Sequence, residues 1–533
     1  MMKKVIKKLL AALLAVAMVC AMAIPAFAEN SEGDVDSHHT YSAFQIFKGD
    51  VEGNNIKDFK ISNVDWGSNI ITNSEDFLAQ LKAAERIGGQ FEGATTAQDV
   101  LKVISRWHDS DDDSIAFARF VCHYLYSNDA NPTYVVRAGS NALTIPEAKA
   151  GYYLFVDTTD FSKDDSYHSY NSFLLMVTKG NWNVPITPKA EKPSVKKEVF
   201  DNFDNQDGTS TGVFGSSADH AINEKFQFKL TATLPASTDH AYDYYDTYAV
   251  CFKDTLSEGI TYDGPDSVVI NSNGHTYDIT NDTSKYTITE SQNSFVVKIP
   301  DVKTCAEGLD LNDGATITVT YTAHLNDKAY VNTRSGSTEN KNSVQLQYSN
   351  NPRPGEYWGT TPKSEVYVYT YQLNNTKRAE KEDGTPLPGA GFRLYSNEAC
   401  HDEDEIKLKM NDDGTYSRDF STEGKGVEMI SGQDGQFNVK GLDAGTYYLK
   451  ETTPPSGYSA CANKEIVISA THNGNHVELD SSKLSTTIIN KKDGGITLPS
   501  TGGIGTTIFY VVGGGLMVAA IVLLVTKKRM ENK

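Results

Sequence analysis

The chain of 533 residues carries 49 Lys+Arg against 69 Asp+Glu, a formal net charge of −20, and outside its two termini it has no basic cluster that would serve as a footprint for nucleic acid. At roughly 150 residues per domain this length holds three or four domains and excludes a single small enzyme domain. With 39% hydrophobic and 22% charged residues the bulk should fold rather than stay disordered, and six cysteines are too few for a disulfide scaffold, although isolated bridges suit an exported protein.

Lys3, Lys4, Lys7 and Lys8 precede an apolar run from Leu9 to Ile24, and Ala26-Phe27-Ala28 places small residues where a signal peptidase reads. Residues 1–28 are therefore expected to be a signal peptide cleaved after Ala28, the run being short for a membrane anchor.

The first block, 29–187, is mixed. Glu75–Ile87, Ala97–Trp107 and Ser114–Tyr126 have helical apolar spacing, whereas TYSAFQIF, TYVVRA, GYYLFVD and SFLLMV read as strands. A β-sandwich with a helical insertion is expected. Proline and glycine punctuation at VPITPKAEKP and at NNPRPGEYWGTT marks two breaks. Between them the middle block, 188–363, has short alternating runs such as FQFKLTATL, TITVTYTAHL and SVQLQY. The last block, 364–496, has VYVYTYQL, GFRLY, TYYLKE, KEIVI and STTIIN, separated by turn pairs such as Asp383-Gly384 and Asp413-Gly414. Regular short strands of this kind predict sandwiches, and the fold class is mainly β: three tandem Ig-like sandwiches.

Residues 497–533 close the chain. Ile504–Val525 is apolar and at 1.5 Å per residue spans about 33 Å, a bilayer core. Lys527, Lys528 and Arg529 follow and are held in the cytoplasm. Removing both ends takes away eight basic residues and one acid, so the net charge moves from −20 to about −27.

Directly before the apolar run stands Leu498-Pro499-Ser500-Thr501-Gly502. Alone the pentapeptide is a weak signal. Followed by a helix and a basic tail, and paired with an export signal, it resembles the cell-wall sorting signal of Gram-positive surface proteins. The resemblance implies that a sortase cuts between Thr501 and Gly502 and holds the threonine as a thioester.

In the last block, NNTKRAEKEDGTPLPGAGFRLY, GTYYLKETTPPSGY and STTIINKK resemble a Cna B-type domain of the same surface proteins. The family joins a strand lysine to a last-strand asparagine by an isopeptide bond, assisted by an acid; the matching positions are Lys377, Asn490 and Glu451. The residue types fit the chemistry, because an amine attacks an amide only when neutral and burial disfavours the ammonium form, while a buried acid can polarise the amide carbonyl and shuttle protons as ammonia leaves. KPSVKKEVFD, CFKDTLSEGITY and ENKNSVQLQYSNNP resemble the central Cna A-like domain of backbone pilins, which implies Lys197, Asp254 and Asn342 in the same roles. Lys196 and Asn350 are alternatives. In this family the first and last strands run parallel, so partners are expected at similar depths along them.

Lys189, in Thr187-Pro188-Lys189-Ala190, stands where sortase-assembled pili carry their pilin motif, without the tyrosine and asparagine usual there. The resemblance implies that it attacks the acyl-sortase thioester of another subunit, linking Thr501 of one copy to Lys189 of the next. As a whole the order of signals resembles a three-domain backbone pilin: a secreted, peptidoglycan-anchored shaft subunit, not an enzyme. Its implied partners are pilus-specific and housekeeping sortases, copies of itself, minor pilins, peptidoglycan and host surface ligands. The alternative is a monomeric wall-anchored adhesin or a minor pilin.

Of the cysteines, Cys400 and Cys461 are a candidate disulfide, Cys251 with Cys305 a weaker one, and Cys122 is expected to be buried on its helix. The sequence has no HExxH, Walker A or paired CxxC motif. DNFDNQDG, from Asp201, lacks a full EF-hand loop and reads as a solvated turn, so no cofactor or metal is expected.

Overall fold

The computed structural model describes residues 40–493 apart from 55–58, 109–110, 138–141, 146–148, 159–173, 180–181, 186–191, 205–209, 239, 334–338, 356 and 422–425. The signal peptide, Lys189, the sorting pentapeptide and the C-terminal apolar run lie outside the described residues. Among the described residues no helix is long and apolar enough to cross a membrane. The chain forms two compact units, one of residues up to 372 with 440–445 and 468–480, the other of 373–439, 446–467 and the residues from 481 on.

The first unit opens with an antiparallel sheet. Strands β1 (Thr40–Glu52), β2 (Lys60–Trp66), β3 (Tyr134–Arg137), β4 (Gly151–Asp157) and β5 (Leu174–Thr178) are ordered β2-β1-β4-β5, with β3 also on β1. Tyr41–Phe47 and all of β4 are buried, as expected of strands covered on both faces. Helices α1 (Ser74–Ala83), α2 (Ala97–Ile104) and α3 (Asp112–Ser127) lie between β2 and β3, and Phe77, Leu81, Val100, Ile104, Phe117 and Val121 share one core with Phe47 and Leu154. The helical insertion thus forms the layer over the sheet. Among the described residues a second sheet in this block is limited to the pair Ala142–Ile145 and Trp182–Pro185. Helix α1 stops short of Ile87 because Ala84 turns extended, at φ −63° and ψ 125°, ahead of the poor helix formers Gly88 and Gly89.

At the start of α2 the Thr96 hydroxyl accepts from the Asp99 N–H, and the Asp99 carboxylate accepts from the Thr96 N–H at 3.0 Å. This reciprocal cap satisfies two otherwise orphaned donors. Thr96→Ala should cost about 1 kcal/mol, read as a shift of the urea midpoint at unchanged slope.

The central block is a sandwich of two sheets. One has the order β12-β11-β15-β9-β6-β7, where β6 is Ser194–Asp204, β7 Ser210–Gly215, β9 Lys225–Leu234, β11 Ile260–Ser272, β12 His275–Asp278 and β15 Ala315–Leu325. The other has the order β8-β17-β16-β10-β14-β13, where β8 is Ser217–Asp219, β10 Val250–Leu256, β13 Thr287–Ser291, β14 Ser294–Ile299, β16 Asn340–Ser349 and β17 Ser364–Tyr369. Burial alternates without a break along β15, the period of two placing Val319 and Tyr321 inside with Phe228, Phe252, Val297 and Leu346.

The run VYVYTYQL does not stay in one sheet. It divides at Thr370: β17 is hydrogen-bonded to β16 and β8, and β18 (Tyr371–Ala379) begins the next sheet. The boundary between compact units therefore falls at 372/373 rather than at the expected 364.

Beyond β17 the strands β18, β19 (Gly391–Tyr395), β20 (Val439–Leu442), β21 (Gly445–Thr453), β22 (Lys464–Ile468) and β23 (Ser485–Asn490) fall in two sheets, one containing β20-β18-β23 and the other β19-β21-β22. Asp413-Gly414 makes the expected turn, between Leu408–Met410 and Tyr416–Arg418, with Gly414 at φ +80°, where a side chain would be strained.

Candidate functional site

Alternation along β18 turns Leu373, Asn375 and Lys377 inward, and the same period buries Ile488 and Asn490 on β23 and Leu449 and Glu451 on β21. Strands β18 and β23 run parallel, with Asn490 opposite Ala379 and Ile488 opposite Lys377. The three polar side chains meet inside the second unit. Lys377 Nζ donates to Asn490 Oδ1 at 2.5 Å, Asn490 Nδ2 donates to Glu451 Oε1 at 2.7 Å, and that carboxylate oxygen is 3.3 Å from Lys377 Nζ. The side chains of Lys377 and Glu451 are fully buried.

Two supports hold this cluster. Phe392 lies under the ammonium, 5.2 Å from its ring centre, and is itself stacked on Phe437. The Lys377 N–H donates to the Gly435 carbonyl at 2.7 Å; a Cβ at Gly435 would sit 2.4 Å from the Lys377 carbonyl oxygen, so a close approach and a φ of +79° both require glycine there.

Lys197, Asp254 and Asn342 converge in the central sandwich by another route. The expected parallel pairing of first and last strands does not apply: β6 belongs to the six-stranded sheet and β16 to the facing one. Lys197 reaches across the core to Asp254, with which it forms an ion pair of two fully buried side chains. Asp254 and Asn342 come from adjacent strands, two positions apart in register. Tyr321 links the set, its hydroxyl accepting from Lys197 Nζ at 2.8 Å and from Asn342 Nδ2 at 2.6 Å and donating to Asp254 Oδ1 at 3.3 Å.

The electrostatics follow from burial. Desolvation pulls the Lys197 amine down to about 8 against the opposing pull of Asp254, and raises the Asp254 carboxyl above the usual carboxylate range. Asn342 Oδ1 is buried without a hydrogen-bond partner among the described residues, which leaves the amide carbonyl open to an incoming group. The alternatives do not meet this cluster. Lys196 points outward to Glu198 at 2.7 Å. Asn350 lies eight residues along from Asn342, roughly 26 Å in an extended strand.

Tyr321 was not legible as a site residue. Its inward face was readable from the alternation of TITVTYTAHL, but its reach to three partners was not. Cys461 has a different setting from the expected bridge. No disulfide joins the five described cysteines. Cys461 Sγ lies 3.8 Å from Lys377 Nζ and its N–H donates to Glu451 Oε2 at 2.8 Å, which ties this residue to the lysine cluster. Cys400 instead receives Asn463 Nδ2 at 3.4 Å. Cys251 and Cys305 are buried separately as well, and Cys122 is buried on α3.

Tandem β-sandwiches ending in a wall-sorting pentapeptide define a class of exported, multi-domain surface proteins. Residues 373–483 match the family model described as SpaA, a prealbumin-like fold domain, beginning where the second unit begins, and residues 490–532 match the LPXTG cell wall anchor motif. None of the curated proteins compared with the chain matches it. Among solved structures, the T6 backbone pilin of serotype M6 Streptococcus pyogenes is 17% identical over 86% of this chain and 97% of that one, with a TM-score of 0.50. The major pilin SpaD of Corynebacterium diphtheriae is 20% identical over 67% and 81%, with a TM-score of 0.41, and RrgB of Streptococcus pneumoniae 16% over 64% and 83%, with a TM-score of 0.40. The chain has the pilin-like multi-domain β-sandwich fold, and with its LPXTG motif it is a secreted, cell-wall-anchored surface protein.

Proposed function

We propose that the protein is the shaft subunit of a covalent pilus. A sortase cleaves between Thr501 and Gly502, and the Lys189 amine of another copy attacks the resulting thioester, so that Thr501 and Lys189 are joined by an isopeptide and the sortase thiol is released. Repetition makes a single covalent chain, which the housekeeping sortase finally transfers to peptidoglycan. The observation that carries this reading is the anchor motif at the end of a chain that shares its fold with a backbone pilin over 86% of its length.

Within each subunit, Lys377 attacks the Asn490 side-chain amide and Lys197 that of Asn342. In each case a C–N bond forms, the amide nitrogen leaves as ammonia, and Glu451 or Asp254 relays the proton. Support comes from the burial and mutual contact of each set. The bonds brace the sandwiches against tension, because forced unfolding is limited by an unfolding rate and a covalent tie between strands blocks it.

The test is a wall extract separated by size. A ladder of multimers resistant to boiling in detergent is expected, and Lys189→Ala should collapse it to monomer. A monomer only in the wild-type extract would favour an adhesin or minor pilin, and an unchanged ladder in the variant would remove Lys189 from the reading.

A further inference from the structure

Apart from the lysine clusters, His220, Glu224 and Asp443 each bring one ligand atom to within 4.8 Å of the others, all three in the first unit. His220 follows β8, is 0% exposed, and has its ring stacked on Phe226 at 3.9 Å and 1°. Its Nε2 lies 2.7 Å from the Phe200 carbonyl oxygen. A carbonyl only accepts, so Nε2 carries a proton, and in the neutral ring the lone pair is on Nδ1. That Nδ1 has no hydrogen-bond partner among the described residues and faces Glu224 Oε1 at 3.9 Å.

A buried acceptor left unmet is costly. An imidazole oriented by a carbonyl on one nitrogen with its other lone pair open is the arrangement of metal-ligating histidines. The carboxylates are held as well: Glu224 Oε2 accepts from the Ala221 N–H at 2.9 Å and Asp443 Oδ1 from the Ala444 N–H at 2.7 Å.

We propose that His220 Nδ1, Glu224 and Asp443 bind one divalent transition-metal ion, zinc fitting best, with water completing the shell. One imidazole and two carboxylates suit zinc, whereas calcium and magnesium take oxygen sets. Bond lengths of about 2.0–2.2 Å place tetrahedral ligand atoms about 3.3–3.5 Å apart, so the gap between Nδ1 and Oε1 closes by a small side-chain rotation. The ion ties residues 220–224 to 440–445, which already meet through the Ile222 N–H and the Gly441 carbonyl at 3.0 Å.

The purified chain, stripped with chelator, is titrated with Zn²⁺ by calorimetry and with Co²⁺ by visible absorption. One site per chain is expected, with tetrahedral cobalt bands. Zn²⁺ at a hundredfold excess over its Kd should multiply the folded-to-unfolded ratio about a hundredfold, raising Tm. His220→Gln and, separately, Asp443→Asn should abolish saturable binding and the rise in Tm; Asp443→Asn removes a carboxylate ligand at constant shape, so it decides if the histidine variant fails to fold. Absence of one-to-one binding in the wild type, undiminished binding in Asp443→Asn, or a Tm that responds to Ca²⁺ and not to Zn²⁺ would overturn the assignment.

Discussion

A Glu451→Ala chain is expected to be heavier than the wild type by one ammonia, after correction for the substitution, and to lose heat and protease resistance in its second unit. Glu451 Oε1 touches both the Lys377 amine and the Asn490 amide nitrogen, so on the proposed chemistry Lys377 and Asn490 stay separate without it. Two losses then add. The proposed tie between positions 113 apart, whose side chains are in hydrogen-bond contact, would stabilise by roughly 4–5 kcal/mol in the chain-entropy account, and a buried lysine left without its acid costs about 3–5 kcal/mol. For a unit near a hundred residues, even half of that sum lowers Tm by well over ~10 °C. Intact mass, a thermal melt and a trypsin time course read the outcome, with Lys450→Ala, on the outward face of the same strand, as the control that keeps the ammonia deficit. A Glu451→Ala chain that still lacks one ammonia would end the assignment of this acid.

In an Asn342→Ala chain, where no central bond can form, stability is expected to rise with pH between about 8 and 10.5. The Lys197 amine falls from 10.5 when unfolded to about 8 when folded. Within that window the unfolded chain binds a proton that the folded chain does not, so unfolding becomes less favourable as pH increases. The gain is on the order of 3 kcal/mol, complete near pH 10.5 and absent below 8. Asp254, raised by the same burial, has the opposite sign in the acid range: its folded form keeps a proton that the unfolded chain has lost, so stability falls as pH climbs from the unfolded carboxylate value to the raised one. Urea titrations at several pH values, for Asn342→Ala and for Asn342→Ala with Lys197→Met, isolate the lysine by difference. A flat difference across the window would show that the core does not favour the neutral amine.

Both experiments concern residues whose facing was readable beforehand. In STTIIN and YQLNNTKRA a period of two turns Asn490 and Lys377 to the core with Ile488 and Leu373, and a buried lysine is rare enough to demand a reason. Lys197 came from the family resemblance with Lys196 as an alternative, and the fold turns Lys197 inside and Lys196 outside. The block limit at 364 was drawn from proline and glycine punctuation; the sheets divide VYVYTYQL at Thr370, where the run is equally apolar on either side and nothing local says that the two halves serve different sheets. The second layer of the first block was also open to error, since helices and strands can bury the same apolar surface.

The cysteines show the limit most plainly. Cys400 and Cys461 share a block in the sequence, but pairing depends on separations that only folding sets, and the chain directs Cys461 to the lysine cluster instead. Tyr321, His220 and Asp443 were invisible for the same reason. Each acts through partners dozens to hundreds of residues away, and long-range register carries no local signature.

By itself the sequence determined export, wall anchoring and mainly β architecture, because these depend on composition, local order and a two-residue period. Only the tertiary structure decided which side chains meet: that Lys197 reaches Asn342's strand from the opposite sheet through Tyr321, that the thiols stay apart, and that an open histidine lone pair faces two carboxylates. Contacts of that kind are fixed by the stacking of sheets, which brings together residues that the chain keeps far apart.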